Sequence, residues 1–363
     1  MNIIHLVRAT TWGGGERYAY DLVRASVQAG HDVIVVTKGS PAVDGKMAEC
    51  GARLVRMPLG GVFDFVSPLR LAGMIRKMDG DEAVVHVHTF KDAEIAARAK
   101  TLVGKSKRVR IVCTRHLVKM GKRSPRWSYI FRQTDALIFV SELAEREFLK
   151  GSPDVSPEKI RVIPNSIVPP KIEPRAASHA DNPGNAGATI LFTGRLSEEK
   201  GIEDLITALS LLDNLDFRVR IAGTGKTDYV DGLHRLTESC GVADRVDWLG
   251  FTSDVFAEIG QADICVAPSV ARESFGLTLL EFMSQGRPVI ATDSGAQPEI
   301  ITDRSDGFLI PPHRPDRLAE TIRELTENPE LRKRIGDNAR RTFSERFSFE
   351  RFFERITRVY EGF

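Results

Sequence analysis

The feature that most constrains the fold is an arrangement of strand, loop, helix and strand that occurs twice in the chain. The first copy has the apolar run NIIHLV at residues 2–7, three glycines at 13–15, helical periodicity from Glu16 to Ala29 and the apolar run HDVIVVT. The second copy starts at Ala188 with ATILFTG and returns to a strand at FRVRIAG. Strands that return through a helix form parallel sheets with right-handed crossovers. The sequence therefore predicts two joined α/β units, each doubly wound.

The length of the chain supports a division into two domains. Its 363 residues exceed the size at which one hydrophobic core is usual. Periodicity is lost after Ile167, where the sequence becomes rich in Pro, Ala, Gly and Asn, as is typical of a linker. We predict a first domain at 1–166, a linker at 167–188, a second domain at 189–345 and an amphipathic C-terminal helix at 346–363.

Charge and cysteine content exclude several classes of protein. The chain has 51 Lys and Arg against 49 Asp and Glu, a net charge of +2 that argues against a nucleic-acid binder. The four cysteines lie far apart and form no CxxC pair, so neither a zinc site nor a disulfide framework is expected. No apolar run approaches the roughly 20 residues that span a bilayer, and the start of the sequence does not resemble a signal peptide. We expect a cytoplasmic protein, with contact at the inner face of a membrane left open.

One segment departs from this charge balance. Between Arg98 and Arg132 the sequence has twelve Lys or Arg and no Asp or Glu. It is either a solvated basic face or a patch for an anionic acceptor or a membrane surface. Its candidate acceptor contacts are Lys119, Lys122, Arg123 and Arg126.

Two carboxylates bracket the start of a predicted helix in ESFGLTLLE. Glu273 precedes the helix and Glu281 lies in its second turn. Ligands of parallel sheets bind beyond the carboxyl ends of the strands, and the free N–H groups of Phe275–Leu277 would favour a phosphate there. Gly276 would let the ligand approach the backbone, while the two acids could accept bonds from hydroxyls. The alternative is a helix N-terminal charge followed by a surface acid.

The loop GRLSEEKG follows the second copy's first strand and carries two cations. Arg195 offers a fixed fork of donors and Lys200 a mobile point charge, a combination that suits a diphosphate leaving group. The alternative is a solvated loop in which Glu198 and Glu199 form ion pairs with Arg195 and Lys200. The glycines at both ends of the loop make this alternative the weaker one.

Taken together, these residues resemble the retaining glycosyltransferases of family 4 (glycosyl transferases group 1). The matching motifs are GGGER (13–17), CTRH (113–116), IPNS (163–166), GRLSEEKG (194–201), IAGTG (221–225) and ESFGLTLLE (273–281). The resemblance implies a GT-B fold, in which two facing Rossmann-like doubly wound domains leave an interdomain cleft. It also implies that the C-terminal helix at 346–363 crosses back to the first domain. Asn165–Ser166 departs from the family's usual asparagine-glycine pair, which puts the turn geometry there in question.

The resemblance also implies an activity and a set of site residues. The activity is transfer of a sugar from a UDP-, GDP- or ADP-sugar to a glycan or lipid-linked acceptor, with retention, in polysaccharide or lipopolysaccharide synthesis and without a metal. The implied catalytic residues are Glu273, His116, Arg195 and Lys200. The implied donor-binding residues are Gly14, Gly15, Arg195, Lys200, Gly223, Val255, Ser274, Phe275, Gly276, Leu277 and Glu281. Glu273 would contact sugar hydroxyls and Glu281 the ribose, while a core histidine remains the alternative for His116.

Several other interpretations were weighed against this one. An NAD(P) oxidoreductase is disfavoured because Tyr18 replaces the last glycine of G-x-G-x-x-G. A non-catalytic sugar-nucleotide or glycan-binding subunit stays open, as does another GT-B enzyme such as an epimerase or a phosphorylase. His86 and His88 share one face of a strand, but lack a third metal ligand, which favours a structural or acceptor-side role. Asp79-Gly80-Asp81 resembles a metal-binding DxD motif, yet it precedes a strand, which favours a turn.

Overall fold

The computed structural model describes residues 1–61, 63–170 and 187–363. The chain divides into two compact units. Unit 1 consists of Met1–Ser166 with Phe349–Phe363, and unit 2 consists of Ile167–Ser348. Most of the predicted linker lies outside the described residues.

Unit 1 is built on a parallel sheet. Its described strands are β1 (Asn2–Val7), β2 (Asp32–Thr37), β3 (Arg53–Arg56), β4 (Glu82–Val87), β5 (Arg108–Arg115), β6 (Ala136–Phe139) and β7 (Ile160–Val162). Its described helices are α1 (Gly14–Gln28), α2 (Pro41–Ala48), α3 (Val66–Lys77), α4 (Phe90–Val103), α5 (Pro125–Gln133), α6 (Glu142–Leu149) and, from the end of the chain, α14 (Phe349–Glu361). The strand order is β3-β2-β1-β4-β5-β6-β7, and each neighbouring pair is parallel.

The alternation of side chains along β1 explains how both faces of this sheet are covered. Ile4 and Leu6 belong to the core formed with α3, α4 and α5. Ile3 and Val7 point to the other face, where α1, α2 and α14 pack. The aromatic face of α14 is buried there, since Phe352 and Tyr360 are 4% and 3% exposed. Two apolar faces of this kind are typical of a parallel sheet covered by helices on both sides.

Unit 2 repeats this plan. Its described strands are β8 (Ala188–Thr193), β9 (Phe217–Ala222), β10 (Val246–Gly250), β11 (Ile264–Ala267), β12 (Val289–Thr292) and β13 (Phe308–Ile310). Its described helices are α7 (Ile202–Leu209), α8 (Thr227–Ser239), α9 (Val255–Gln261), α10 (Leu277–Ser284), α11 (Gln297–Ile300), α12 (Pro315–Glu327) and α13 (Pro329–Arg346). The strand order is β10-β9-β8-β11-β12-β13, again parallel throughout. Across the described ranges, no helix combines the length and apolar character that a membrane span requires.

Each sheet has one point at which the strand order reverses. In unit 1 this point lies between β1 and β4, and in unit 2 between β8 and β11. The loops that follow such a pair of strands leave in opposite directions, which opens a crevice at the carboxyl ends of the strands. The predicted class, α/β with two Rossmann-like doubly wound domains, is therefore confirmed, and each switch point indicates where a ligand is expected.

Candidate active site

Close backbone packing brings the loops after β8, β9 and β11 together at the carboxyl edge of unit 2. A Cβ atom on Gly223 would lie 1.8 Å from the carbonyl oxygen of Gly194, so the loops after β8 and β9 touch at a position that requires glycine. A Cβ atom on Gly201 would lie 2.1 Å from the carbonyl oxygen of Pro268, and Gly201 has φ of +65°. The loop that carries Arg195 and Lys200 is thus packed directly against the segment that leads to Glu273.

An ion pair joins the two loops across the switch point of unit 2. Lys200 Nζ lies 2.7 Å from Glu273 Oε1, and the hydroxyl of Ser269 donates to the same oxygen at 2.5 Å. Both side chains of the pair are about one quarter exposed, at 28% and 23%. Lys200, predicted to bind the diphosphate, and Glu273, predicted to bind the sugar, therefore neutralise each other in this structure.

Arg195 contrasts with Lys200 because its charge is not compensated. Its side chain is exposed, and it makes no hydrogen bond or ion pair with the residues that the structure describes. Arg195 lies at the carboxyl edge of the sheet, separated from the end of β8 only by Gly194. The structure therefore leaves a guanidinium group available to an anion at this edge.

The segment after Glu273 forms a helix start, as the sequence predicts. Gly276, with φ of +130°, caps α10, which begins at Leu277. The side chain of Phe275 is 3% exposed and packs on Phe347, with ring centroids 6.1 Å apart, so this residue can meet a ligand only through its backbone. Ser274 and Glu281 are both half-buried, and Glu281 lies in the second turn of α10.

The remaining predicted donor-binding residues of unit 2 lie at the same edge. The N–H of Gly223 donates to the carbonyl of Gly250 at 2.8 Å, which ties the loop after β9 to the end of β10. Val255 is the first residue of α9, whose N-terminus is capped by the Asp254 carboxylate accepting from the Ala257 N–H at 3.0 Å. Val255 itself is half-buried and follows the carboxyl end of β10.

In unit 1, the glycine loop and His116 lie side by side. A Cβ atom on Gly15 would be 3.8 Å from the imidazole ring of His116, and the ring of Tyr18 lies 4.8 Å from the same imidazole, centroid to centroid. Gly14 begins α1, with Gly13 as its N-cap. Burial raises the pKa of Glu16. Hydrogen bonds from the backbone of residues 13 and 16 to its carboxylate act in the opposite direction and lower this pKa. That carboxylate occupies part of the helix start where the resemblance places phosphates.

Four histidines cluster at the switch point of unit 1. His5 and His86 are fully buried, whereas His88 and His116 are half-buried. His86 is bonded on both sides, with Nδ1 2.6 Å from the Tyr360 hydroxyl and Nε2 2.8 Å from the Thr114 hydroxyl. Burial lowers the pKa of His5 to about 3 and that of His116 to about 4, so both are neutral near pH 7.

The histidines do not form a metal centre. In the described ranges, no group of three or more His, Cys, Asp or Glu side chains is arranged to hold a metal ion. His86 links β4 to the tail helix α14 through Tyr360, which gives it a structural role. Sequence analysis did not find the pairing of His5 with His88, because only the strand order makes β1 and β4 neighbours. It also missed Ser269, whose position four residues before Glu273 was the available signal.

The cations of the basic segment at 98–132 do not lie together on one surface. Strand β5 carries the segment across the sheet, so Lys105 lies at the amino end and the loop with Lys119, Lys122 and Arg123 at the carboxyl end. The amino end lines a surface depression of about 430 Å³. Several cations of the segment are compensated: Arg126 pairs with Glu94 at 2.5 Å, Lys100 with Asp135 at 2.7 Å and Arg108 with Glu82 at 2.8 Å. Among the described residues, the loop after β5 keeps Lys119, Lys122 and Arg123 exposed and without an ion pair, so it stays a candidate contact for an anionic acceptor.

Two parallel Rossmann-like sheets with candidate ligand-binding residues at their carboxyl edges define a GT-B protein. Solved structures share this fold. A glycosyltransferase from Rickettsia africae matches with a TM-score of 0.85 and 21% identity over 99% of this chain and 97% of that chain. The HepE protein of Anabaena, solved with UDP and glucose, matches with a TM-score of 0.80 and 20% identity over the full length of both chains.

Sequence comparisons identify the family. The family model described as "Glycosyltransferase Family 4" matches residues 12–169, and that described as "Glycosyl transferases group 1" matches residues 177–342. The chain belongs to this family of group 1, family 4 glycosyltransferases, as its motifs predict.

Individual relatives agree with this assignment. An uncharacterized glycosyltransferase of Methanocaldococcus jannaschii is 35% identical over 47% of this chain and 44% of its own length. The phosphatidyl-myo-inositol mannosyltransferase of Mycolicibacterium smegmatis is 28% identical over 96% of this chain and 90% of its own. The chain spans less than half the length of the first curated relatives that it matches, 44% and 45% of two of them.

Proposed function

We propose that the protein transfers a sugar from a nucleotide-diphosphate sugar to a glycan or lipid-linked acceptor, with retention of anomeric configuration. The observation that carries this proposal is the exposed, unpaired Arg195 beside the Lys200–Glu273 ion pair at the switch point of unit 2. Family membership supports it, as do the HepE structures, which contain UDP or UDP-glucose. The name of the mycobacterial relative, a mannosyltransferase of phosphatidylinositol, supports a lipid-linked acceptor.

Recognition of the donor would begin at Arg195. A guanidinium group can donate two parallel hydrogen bonds to a phosphate. The first N–H groups of α10 add further hydrogen-bond donors. Lys200 would complete the set once a phosphate competes with Glu273 for its ammonium group. Because the ion pair is partly exposed, its own strength is small and a doubly charged diphosphate can displace it.

The same exchange would prepare Glu273 for the sugar. When Lys200 turns to the diphosphate, the Glu273 carboxylate keeps the Ser269 hydroxyl as a partner and gains free acceptor capacity for sugar hydroxyls. The bond between the anomeric carbon and the phosphate oxygen then breaks, and its electrons remain on the diphosphate. The acceptor hydroxyl oxygen forms the new bond on the same face of the sugar, as retention requires, and its proton passes to an oxygen of the departing diphosphate. We propose that Arg195, Lys200 and the α10 amides, without a metal ion, stabilise the charge that develops on the departing diphosphate.

A transfer assay with product analysis tests the proposed function. Thermal unfolding of the protein with UDP, GDP and ADP and their sugars will select the donor, because a ligand at 100 times its Kd raises the stability by about 2.7 kcal/mol. We expect one nucleotide to stand out, and NMR of the fresh product to show the donor's anomeric configuration.

Other outcomes of this assay would support a different function. Formation of an epimer or release of free sugar in the absence of any acceptor would indicate an epimerase or a hydrolase. Binding without turnover, across a broad acceptor panel, would indicate a non-catalytic subunit. An inverted linkage would contradict retention while leaving sugar transfer intact.

For the acceptor, we propose an anionic glycan or lipid that contacts the loop after β5. Lys119, Lys122 and Arg123 are exposed in this loop, and they alternate with Leu117 and Met120, which are 63% and 58% exposed. Cationic side chains beside exposed apolar ones suit the interface of an anionic membrane. This contact would hold a cytoplasmic protein at the inner face of the membrane, as lipopolysaccharide or polysaccharide synthesis requires.

Charge removal from this loop tests the acceptor proposal. A cationic side chain near an anionic surface contributes about 1 kcal/mol, so Lys122→Ser with Arg123→Ser should weaken use of an anionic lipid-linked acceptor by about ten- to thirtyfold. The double variant Lys105→Ser with Arg132→Ser, which removes the same charge elsewhere in unit 1, is the matched control. Equal kinetics for both variants, measured with acceptor in vesicles containing anionic lipid, would argue against this loop.

A further inference from the structure

The four histidines of unit 1 stack on the side of the sheet that α1 and α14 cover. His86 and His88 rings are 4.7 Å apart, His5 and His88 are 5.7 Å apart, and His88 and His116 are 5.7 Å apart, centroid to centroid. Exposure increases along the series, from the fully buried His5 to the half-buried His88 and His116. The series therefore runs from the core of unit 1 to the candidate site beside Gly15.

Three of these rings are connected by their nitrogen atoms. His5 Nδ1 lies 3.4 Å from His88 Nε2, and His88 Nδ1 lies 3.4 Å from His116 Nε2. Burial and neighbouring imidazoles keep the pKa of His88 well below its ordinary value, so this ring, like His5 and His116, is neutral. A neutral imidazole has one N–H and one acceptor nitrogen. Each of the two nitrogen–nitrogen contacts then contains one N–H, so all hydrogen bonds of the series must be donated in the same direction along it.

The buried end of the series determines that direction. His5 Nε2 is buried and has no hydrogen-bond partner among the described residues. A buried N–H without a partner is less common in proteins than a buried acceptor without one, which places the His5 proton on Nδ1. His5 then donates to His88 Nε2, and the proton of His88 must be on Nδ1, from where it donates to His116 Nε2. The remaining proton of His116 is on Nδ1.

We propose that His5 and His88 are positioning residues that hold His116 in its Nδ1–H tautomer, so that His116 offers an N–H donor to a substrate oxygen. His116 Nδ1 has no partner in the described ranges and is not among the buried unpartnered atoms. The kinetic consequence rests on the proposed function, whereas the tautomer itself does not. His86 is outside the series, because its two nitrogens bond to Tyr360 and Thr114.

Selective ¹⁵N labelling of histidine and NMR at pH 7 tests the tautomer directly. We expect the His116 signals, assigned by their loss in His116→Gln, to show a protonated Nδ1 in the wild-type protein. His5→Phe and His88→Phe keep an aromatic ring in place but remove the donor, so we expect the Nε2–H form of His116 to become populated in both. His86→Gln is the matched control, since it changes an adjacent buried histidine and should leave the His116 tautomer unchanged.

Kinetics provide the second readout. Loss of one directed hydrogen bond corresponds to about a tenfold loss in kcat/KM, so His88→Phe should approach His116→Ala, and the double variant should lose little more than either single one. A wild-type spectrum with the proton on His116 Nε2, or a tautomer that does not change in His5→Phe and His88→Phe, would overturn the inference. Absence of sugar transfer with every donor would contradict the proposed function instead, and the NMR result would still decide the tautomer.

Discussion

Replacement of Arg195 by Ala is expected to slow sugar transfer by about two to three orders of magnitude, because one well-placed donor to a developing oxyanion is commonly worth about 3–4 kcal/mol. This guanidinium is exposed and unpaired within the described residues, so its removal leaves no buried charge without a partner. The loss should therefore appear in catalysis and donor affinity, with little change in stability. Lys200 and the α10 amides should provide the residual activity.

Steady-state kinetics with saturating acceptor, together with the nucleotide-dependent shift in melting temperature, would measure this effect. Arg235→Ala is the matched control, because Arg235 is an exposed arginine on α8 of the same unit and is not part of the candidate site. We expect Arg195→Lys to recover only part of the rate, since an ammonium cannot donate the same fork of bonds. Turnover of Arg195→Ala at nearly the wild-type rate would remove Arg195 from the mechanism.

The second large effect is a loss of stability of unit 1 in mild acid. A histidine in the unfolded chain has a pKa near 6.5, whereas burial lowers the pKa of His5 to about 3 and of His116 to about 4 in the folded protein. The pKa values of His86 and His88 are also lowered, first by burial and then by the neighbouring imidazoles. Below pH 6.5 the unfolded chain therefore binds protons that the folded unit does not.

The sign and window of the effect follow from this difference in bound protons. Stability is fully present above pH 6.5 and is lost as the pH falls toward the folded-state values. Each histidine that stays neutral reduces the free energy of unfolding by about 1.6 kcal/mol between pH 6.5 and 5.0, so the group should remove about 3–6 kcal/mol. Buried carboxyl groups with a raised pKa, such as Asp92, act in the opposite direction, because the folded unit binds their protons at a higher pH than the unfolded chain does. We expect the melting temperature of unit 1 to fall by roughly 10 °C or more over this interval.

Tryptophan fluorescence can follow unit 1 separately. Trp12 and Trp127 are in unit 1 and Trp248 is in unit 2, so the variant Trp248→Phe leaves fluorescence from unit 1 alone. Urea unfolding of this variant between pH 6.5 and 5.0 measures the loss. Adding His313→Gln, which removes an exposed histidine of unit 2, should not change the slope. A free energy of unfolding that stays constant over this interval would show that the four imidazoles accept protons in the folded state.

Local sequence patterns were sufficient for the elements of the fold. The apolar run at residues 2–7 became β1, and the helix expected to begin near Ser274–Gly276 became α10, which begins at Leu277. These patterns work because a buried parallel strand needs a continuous apolar run and a helix shows its own apolar periodicity, both of which are local properties of the sequence. The placement of Arg195, Lys200 and Glu273 after strands β8 and β11 followed from the same patterns.

The basic segment shows where local patterns are insufficient. Its charges are continuous in sequence, but β5 carries them from one edge of the sheet to the other, and Glu94 on α4 neutralises Arg126. Glu94 is separated from Arg126 by 32 positions in sequence, so no short window could show this pair. Charge density along a chain therefore predicts a surface patch only where the segment does not cross the sheet.

The sequence by itself determined that the chain forms two α/β units, because strand and helix periodicity and the glycine loops are local properties. It also predicted Arg195 and Lys200 as candidate ligands of a diphosphate, because that prediction depends on side-chain chemistry. Only the tertiary structure decided that β1 lies beside β4 and β8 beside β11, since strand order depends on packing between residues far apart in the chain. That order brings His5 to His88 and Lys200 to Glu273, so it decides which of these groups are connected before any ligand binds.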